Sequence, residues 1–336
     1  MIRWGGKSFR PRRPQRRKPD INDLMKPLGE KQFKGNVWGS QIMNVQKDGI
    51  TPPPVETFHI TAEDGSPLLT EGGDFIDFEF VPPPTTDPDY QAVLDYATTQ
   101  GYTLPSASGQ TLQDQFVKDL KSAGIWSELD ILYVMATDGD GSYSKLNFIN
   151  PSSHYLLENG SMTFVSNEGF DRTTGSYLRT QYIPSTDAVN ATLNDTSNFL
   201  WDFDNTLTSS RDTYMGTILN NQRDRFNTQL TPNVGYAVNQ LGTTFTNSTL
   251  GIGFKMIQRT TGGTINIFNQ VSTPTDTFAG TPDVGSLNTA ELVIGRDGGG
   301  AGNLSNMTIS IFGRGSSLVG KENDLLTAIT TYMNGL

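Results

Sequence analysis

The chain has 336 residues, of which 35% are hydrophobic and 18% charged, with a formal net charge of −10 and no cysteine. The absence of cysteine excludes disulfide bonds and thiolate metal sites within this sequence. No apolar run approaches the roughly 18 residues of a membrane span. No apolar segment follows the charges near Met1 either, so we expect neither a signal peptide nor a membrane partner.

The formal charge is distributed unevenly along the chain. Residues 1–34 carry eleven Lys and Arg against three Asp and Glu, a net charge of +8. The other 302 residues carry 14 basic and 32 acidic side chains, a net charge of −18. This asymmetry indicates that a basic segment and an acidic body meet different partners.

Residues 1–55 are predicted to form an extended basic anchoring arm. The run Arg10–Pro19 breaks helices with proline and repels itself. Three roles stay open: attraction to phosphate backbones, docking on an acidic protein surface in an assembly, or a solvated tail. Aromatic side chains between the charges favour docking. The expected partner-binding residues are Arg3, Trp4, Lys7, Phe9, Arg10, Arg12, Arg13, Arg16, Arg17, Lys18 and Trp38.

Residues 56–85 are predicted to form a short β segment and a proline linker. Apolar and polar side chains alternate in stretches 57–60 and 74–80, which is typical of strands. Turn signals lie between these stretches at 64–65 and 72–73. The three prolines at 82–84 mark a boundary with the segment that follows.

Residues 86–130 are predicted to form a helical pair. Asp87 can cap a first helix that has Pro88 at its first position and ends at Gly101. A second helix is expected to begin at Thr111 and to stop at Gly124. The apolar side chains at helical spacing are Tyr90, Val93, Leu94 and Ala97 in the first helix, and Leu112, Phe116, Val117, Leu120 and Ala123 in the second.

Residues 131–336 are predicted to form a β-sandwich with a C-terminal helix. Short apolar stretches recur between glycine, asparagine and aspartate turns, as a sandwich requires. The predicted strands after the run 130–136 are 161–165, 176–180, 199–203, 251–257, 264–268, 291–296 and 307–312. The closing helix is expected over residues 321–333, where it buries Leu325, Leu326, Ile329 and Met333.

Few residues suggest chemistry. The two histidines, His59 and His154, lie in different segments without the spacing of a catalytic triad or a metal site. The pattern that begins at Asp138 and Asp140 resembles the start of an EF-hand loop, but the required glycine and the final glutamate are absent. A hairpin turn and a loose Ca²⁺ site both stay open there, and we otherwise expect no cofactor.

Two acidic residues next to a predicted strand raise the question of glycoside hydrolysis. Glu128 and Asp130 alternate as the acids of some sandwich-fold glycosidases do, but the next acid in that pattern is replaced by Tyr133. Hydrolysis needs two carboxyl groups at a defined separation. We therefore expect that the chain is not an enzyme, with a glycoside hydrolase as the least favoured alternative.

Several aromatic side chains could stack on sugars or belong to the core of the sandwich. Stacking and core packing both use the large apolar faces of these rings, so the sequence leaves both readings open. The residues concerned are Tyr177, Tyr182, Trp201, Phe203 and Tyr214.

Four stretches of residues 90–336 carry a resemblance to a known family. They are Tyr90 with GYTLPS at 101–106, LKSAGIWSELDILYVMATDG at 120–139, the segment 146–178 with LNFINP at its start, and the ending, with IGRDG at 294–298 and ISIFGRGSSLVGKENDLLTAITTYMNGL at 309–336. These stretches resemble the concanavalin A-like or laminin-G-like jelly-roll modules of tailed-phage virion proteins. No positions match the sugar-binding or metal-binding residues of laminin-G modules.

The resemblance implies a mainly β fold: an antiparallel jelly-roll β-sandwich, concanavalin A-like, preceded by a helical pair and an extended N-terminal arm and closed by a C-terminal helix. It further implies a structural component of a virion, made in the cytoplasm of the bacterial host. The first expectation is a capsid-associated decoration or head-fibre protein, tethered by its arm to other virion proteins such as the major capsid, portal or tail proteins. Such proteins form homo-oligomers, commonly trimers. The alternative is a carbohydrate-binding module on a tail, which recognises a host surface glycan.

Overall fold

The computed structural model describes residues 57–59, 77–79, 85–172, 175–206, 212–219, 222–228, 236–241, 251–260, 263–279, 285–296 and 306–336. The chain divides into two units, residues 1–82 and 83–336. In the first unit, β1 (Thr57–His59) and β2 (Asp77–Glu79) form an antiparallel pair inside the two stretches predicted as strands. The predicted arm and all of its partner-binding residues lie outside the described residues, so the arm stays a prediction, as do the predicted domain boundaries.

The first helix of the second unit follows its sequence signals closely. Helix α1 (Pro88–Gln100) has Pro88 at its first position, and the Asp87 side chain accepts a hydrogen bond from the backbone N–H of Asp89 at 2.9 Å. Gly101 ends the helix in the left-handed conformation, with φ 76°. The predicted stripe of four apolar side chains is buried. Local signals were sufficient here because capping, periodicity and termination agree.

The start of the second helix was predicted wrongly. Helix α2 (Ala107–Ser122) begins four residues before Thr111, and its cap is Ser106, whose hydroxyl accepts from the N–H of Gly109 at 3.2 Å. Serine is as good a cap as threonine, and here it directly follows a proline that ends the preceding loop. Asp114, on α2, accepts a hydrogen bond from the N–H of Asp87 at 2.7 Å and so connects the two helices.

Two antiparallel sheets form the body of the second unit. The larger sheet has eight strands and the smaller has six. The strands before the short helix α3 (Pro184–Asp187) are β3 (Leu129–Val134), β4 (Leu157–Asn159), β5 (Met162–Val165), β6 (Gly169–Arg172) and β7 (Tyr177–Arg179). The strands after it are β8 (Thr196–Thr206), β9 (Asp212–Leu219), β10 (Gln222–Thr228), β11 (Tyr236–Leu241), β12 (Gly253–Thr260), β13 (Thr264–Asn269), β14 (Asp276–Ala279), β15 (Val293–Ile294) and β16 (Asn306–Gly315). The strand order in the larger sheet is β14-β13-β12-β8-β16-β6-β5, with β3 also paired to β16. The order in the smaller sheet is β11-β10-β9-β15-β7-β4.

The larger sheet is buried on both faces. On strand β8, Phe199 packs into the core beneath the helices, whereas Leu200 packs into the core between the two sheets. Ile311 and Phe312 on β16 divide in the same way. Successive side chains of a strand point to opposite faces, so a sheet covered on both sides needs continuous apolar runs. This explains why the central strands lack the polar alternation of a sheet with one wet face.

The last helix closes the layer of helices on the larger sheet. Helix α4 (Glu322–Gly335) buries Leu325, Ala328, Ile329 and Tyr332. Leu326 and Met333, predicted to be fully buried, are only half-buried. The apolar positions of α4 span more than one stripe, so the sequence could not show which side chains reach the core.

A buried hydrogen-bond network joins the three longer helices to the sandwich. The amide oxygen of Gln113 accepts from the hydroxyl groups of Tyr90 at 3.0 Å and Tyr143 at 2.6 Å. The amide nitrogen of Gln113 donates to the hydroxyl groups of Thr137 at 3.1 Å and Tyr332 at 3.2 Å. Burial raises the pKa of all three tyrosines above the ordinary value, which keeps their hydroxyls protonated as donors.

The predicted fold class is confirmed within the described part of the chain. The second unit is mainly β, with two antiparallel sheets, a preceding helical pair and a closing helix. Each of the seven stretches predicted as sandwich strands overlaps an observed strand. Strands β4, β6, β9 to β11 and β14 lie outside the stretches predicted as strands.

Candidate functional site

The two carboxylates of the EF-hand-like turn bind backbone groups. Asp140 accepts from the backbone N–H groups of Thr103, Ser142 and Tyr143 at 2.8 to 2.9 Å. Burial raises the pKa of Asp140, but these hydrogen bonds outweigh it and hold the pKa below the usual value. Asp138 accepts from the N–H of Ser106 at 3.2 Å. The turn therefore fixes the loop that leads into α2, and the Ca²⁺ alternative stays a prediction.

Glu128 and Asp130 have separate structural partners. Asp130 accepts hydrogen bonds from three consecutive backbone N–H groups, those of residues 189–191, and from the hydroxyl of Tyr182 at 2.9 Å. Glu128 accepts from the side chains of Ser316 at 2.5 Å and Lys321 at 2.9 Å, and these partners lower its pKa. Each carboxylate anchors a different segment, so the structure does not bring the pair into one site.

The one histidine whose side chain lies in the described part of the chain, His154, contacts residues of a nearby loop. His154 has its Nδ1 3.2 Å from the carbonyl oxygen of Gln181, and its ring stands edge-on to Tyr182 at 5.5 Å between centroids. Among the described residues, no group of three or more His, Asp or Glu side chains could hold a metal ion. No helix in the same part of the chain is long and apolar enough to cross a membrane.

The five aromatic residues that could stack on sugars fall into three groups. Tyr182 and Tyr214 are fully buried in the core between the sheets. Tyr177 is half-buried, with the guanidinium of Arg296 4.8 Å from its ring centroid. Trp201 and Phe203 instead line an open groove between the larger sheet and α4. The structure thus selects this pair as the aromatic surface available to a ligand.

The groove has one wall from the sheet and one from the closing helix. Its volume is about 480 Å³, within the roughly 300–1,000 Å³ of small-molecule sites. Trp201 and Phe203 both line the groove from β8, and a register shift in the pairing of β8 with β16 lies at Phe203. Thr330 and Met333 lie one and two turns after Leu326 on α4, which puts these three on one side of the helix. The lining residues are Trp201, Asp202, Phe203, Ile252, Gly253, Phe254, Gln270, Leu326, Thr330, Met333 and Asn334.

A glycine keeps the floor of the groove open. Gly253 has φ 96°, in the region that favours glycine, and it pairs with Asp202 on β8. A Cβ atom at this position would lie 3.6 Å from Cγ of Gln270 and 4.0 Å from Cη2 of Trp201. Any larger side chain would therefore enter the space between the tryptophan ring and the glutamine.

Exposed apolar side chains concentrate at this groove. Phe203 is 38% exposed and Ile252 is 54% exposed, and Val271, next to Gln270, is 40% exposed. These are three of the six large apolar side chains that are exposed in the described ranges. Scattered exposed apolar residues are ordinary, but exposed apolar side chains that line a concave surface, as Phe203 and Ile252 do, are typical of a binding site.

Gln270 is held in position at the rim. Its backbone has φ 60°, which is uncommon for a residue other than glycine. Its N–H donates to the carbonyl oxygen of Phe254 at 2.8 Å, and its side-chain amide donates to the carbonyl oxygen of Ile252. The backbone strain is maintained by these two bonds, a situation that is common at binding sites.

A buried ion pair lies behind the floor of the groove. The carboxylate of Asp202 accepts from the hydroxyl of Tyr214 at 2.8 Å and lies 3.5 Å from Nζ of Lys255. Asp202 and Lys255 are both fully buried. Burial lowers the pKa of Lys255 to about 8, although the charge of Asp202 opposes that shift. The two charges neutralise each other, so neither projects a net charge into the groove.

The sequence pointed to only part of this site. Trp201 and Phe203 were among the five aromatic residues that could stack on sugars or belong to the core, but Leu326 and Met333 were predicted to be buried. Gln270, Thr330 and Asn334 carried no signal, because single amides and hydroxyls are common on any protein surface. The wide apolar stripe of α4 was the one available sign that some of its apolar residues face another surface.

No protein-family model and no curated protein matches the sequence. Solved structures that are similar to it include a mutant of Trypanosoma rangeli sialidase displaying trans-sialidase activity, at 9% identity and a TM-score of 0.46, over 68% of this chain and 40% of that one. The binding domain of botulinum neurotoxin serotype D is similar at 11% identity and a TM-score of 0.40, over 61% of this chain and 51% of that one. The chain thus spans about half or less of these proteins, and the likeness is one of fold.

The prediction that the chain is not an enzyme is corrected by this comparison. The similar structures include Trypanosoma rangeli sialidase, at 8% identity, and its trans-sialidase mutant, and both are enzymes. The prediction relied partly on the absence of a histidine triad and of a metal pattern. Glycoside hydrolysis needs neither of these, because it uses side chains that only the fold brings together.

Proposed function

We propose that this chain is a carbohydrate-binding β-sandwich, with the groove between β8 and α4 as its site. The observation that carries the proposal is the pair Trp201 and Phe203, which line a groove that also holds amide and hydroxyl side chains. An open aromatic floor with a few polar groups at the rim is a chemical match for sugar rings.

The physical basis is the two-sided character of a pyranose. One face of the ring presents C–H groups, which pack on an aromatic surface, and the edge presents hydroxyls, which need hydrogen-bond partners. Gln270, Thr330 and Asn334 supply both donors and acceptors. The strained, doubly hydrogen-bonded Gln270 offers a rigid polar contact, and rigidity reduces the entropy lost on binding.

Replacing Phe203 with alanine tests this proposal. We expect Phe203→Ala to weaken binding about tenfold, because losing a stacking surface costs about 1.4 kcal/mol. The full chain would first be screened on an array of neutral and acidic oligosaccharides. The affinity of the strongest hit would then be measured by titration calorimetry for both proteins.

Leu157→Ala is the matched control. Leu157 is 39% exposed, almost the same fraction as Phe203, but it lies on β4 in the smaller sheet. This variant should bind with unchanged affinity. Absence of binding to every oligosaccharide on the array, or equal affinity of the two variants, would remove the groove as a carbohydrate site.

We also propose that the chain is a structural component of a tailed-phage virion, with the carbohydrate-binding sandwich projecting outward from the particle. The support is the resemblance of residues 90–336 to virion modules, together with the +8 charge of residues 1–34 against −18 for the rest. A basic segment of this kind is suited to docking on an acidic partner such as a capsid, portal or tail protein. In this role the chain would self-associate, commonly as a trimer.

Deleting residues 1–50 tests the anchoring role. Particles assembled with the truncated chain should lose most copies of it, as measured by quantitative mass spectrometry of purified virions. A second variant, with Arg10, Arg12, Arg13, Arg16 and Arg17 replaced by glutamine, separates charge from the aromatic contacts. Unchanged copy number in the truncated particles would contradict anchoring by this segment, whatever the second variant does.

A further inference from the structure

We infer that the groove selects uncharged sugars and discriminates against sugars that carry a carboxylate, such as sialic and uronic acids. The inference rests on the carbohydrate-binding role proposed above and specifies its ligand class. Its basis is the composition of the groove wall. None of the eleven described lining residues is Lys, Arg or His, and the carboxylate of the one acidic residue among them, Asp202, is buried against Lys255.

Carboxylate recognition needs positive charge that this wall does not provide. Proteins bind carboxylates through arginine, which offers two parallel N–H donors, or through lysine. The lining side chains offer only neutral donors, namely the amides of Gln270 and Asn334, the hydroxyl of Thr330 and the indole N–H of Trp201. These groups can replace the hydration of a sugar hydroxyl, but they cannot repay the larger cost of removing water from an anion.

The electrostatic contribution of α4 has the wrong sign for an anion. The helix contains Glu322 and Asp324 but neither lysine nor arginine. Its last turn, with Met333 and Asn334, lines the groove. The C-terminal end of a helix carries about half a negative charge on its free carbonyl groups, so this end repels a carboxylate that approaches the groove.

Lys255, the basic residue behind the floor of the groove, does not supply the missing positive charge. Lys255 is fully buried, with Nζ 3.5 Å from the Asp202 carboxylate and 3.2 Å from the carbonyl oxygen of Gly253. Its side chain lies in the layer between the sheets, with Nζ 5.3 Å from the ring centroid of Tyr214. Asp204, which follows Phe203 on β8, is exposed and adds a negative charge near the aromatic end. The groove is therefore neutral to negative along the described wall.

The test compares matched sugars that differ in one charge. The full chain is titrated with a neutral galactosyl-lactose trisaccharide and with sialyl-lactose, and in parallel with a neutral glucose oligomer and the glucuronate oligomer of equal length. We expect at least a tenfold preference for the neutral member of whichever pair binds. The preference should shrink as salt is raised from 10 mM to 0.5 M, because screening weakens the repulsion of exposed charges.

A charge-insertion variant makes the test independent of the sugar that was chosen. Thr330→Arg places a guanidinium on the groove side of α4, and Thr327→Arg places one at an exposed position of the same helix, outside the lining residues. The ratio of affinities for the acidic and neutral sugars should rise about tenfold in the first variant and stay unchanged in the second.

The outcomes distinguish a failure of the inferred preference for uncharged sugars from a failure of the proposed carbohydrate binding. Equal affinity for neutral and acidic partners, or a preference for the acidic one, would overturn the inference and leave the carbohydrate-binding function standing. Binding of no oligosaccharide by the wild-type chain would instead remove the proposed function. Equal responses of the two arginine variants would show that charge in the groove does not control the choice of ligand.

Discussion

Replacing Gln113 with leucine should lower the free energy of unfolding by about 3 kcal/mol, because it removes the acceptor that two buried tyrosine hydroxyls share. The side chains of Tyr90 and Tyr143 both donate to the amide oxygen of Gln113, and all three residues are almost entirely buried. A buried donor that loses its partner costs about 1–3 kcal/mol, which the added apolar surface of leucine offsets only in part.

The loss should be felt by the whole unit because of where the network lies. Gln113 is on α2, Tyr90 on α1 and Tyr332 on α4, and the Tyr332 hydroxyl also donates to the carbonyl oxygen of Ala136 at 2.5 Å. The amide thus joins three helices to the segment that follows strand β3. Its removal weakens contacts between elements far apart in sequence, so the unfolding transition should shift as one event.

Gln115→Leu is the control for this prediction. Gln115 lies on the same helix and carries the same side chain, but it is exposed and bonds only to Asp119 at 2.7 Å. Urea denaturation followed by circular dichroism should show the large shift for Gln113→Leu and a shift of about 0.5 kcal/mol or less for Gln115→Leu. Similar shifts in the two variants would mean that the buried network contributes little to stability.

Gly315→Ala should destabilise the protein by about 3 kcal/mol through a backbone clash. Gly315 ends β16 opposite Leu129 at the start of β3, next to a register shift. A Cβ atom there would overlap the carbonyl oxygen of Glu128 and lie 2.8 Å from Cα of Leu129. Because the clashing atoms belong to the backbone, no side-chain rotation can relieve the overlap, and the two strands must move apart.

Gly285→Ala is the matched comparison. Gly285 is exposed, and a Cβ atom added to it would have no neighbour within 4 Å. Its substitution should leave the thermal midpoint unchanged or raise it slightly, since alanine reduces the freedom of the unfolded chain. A Gly315→Ala protein that melts within about one degree of the Gly285→Ala protein would contradict the close approach of β3 and β16.

Local signals were sufficient wherever several of them agreed. Helix α1 was predicted with its cap, its buried stripe and its terminal glycine, because Asp87, Pro88 and Gly101 each act within a few residues. The second helix shows the limit of such signals, because Ser106 and Thr111 are both acceptable caps and the choice between them depends on the preceding loop. The central strands were recognisable because a sheet that is covered on both faces requires long apolar runs.

The site could be anticipated only in part, because it is assembled from distant segments. Trp201 and Phe203 were recognised as candidates, but nothing near them in sequence indicates that α4 lies across from them. Leu326 and Met333 are only half-buried because Ala328 and Tyr332 lie on the side of α4 that faces the core. Which side that is depends on tertiary packing. Gln113 was missed because a polar side chain beside an apolar stripe is normally exposed, and here three tyrosines from other segments satisfy it.

The order of residues alone was enough to establish the class of the fold, its closing helix and the contrast in charge between residues 1–34 and the rest. These features depend on periodicity, capping and composition, which act over short distances along the chain. Only the tertiary structure shows the groove, the hydrogen-bond partners of the carboxylates at 128, 130, 138 and 140, and the absence of basic side chains from the described groove wall. They depend on which residues meet across two sheets and a helix, and such meetings between distant segments leave no periodic trace in the sequence.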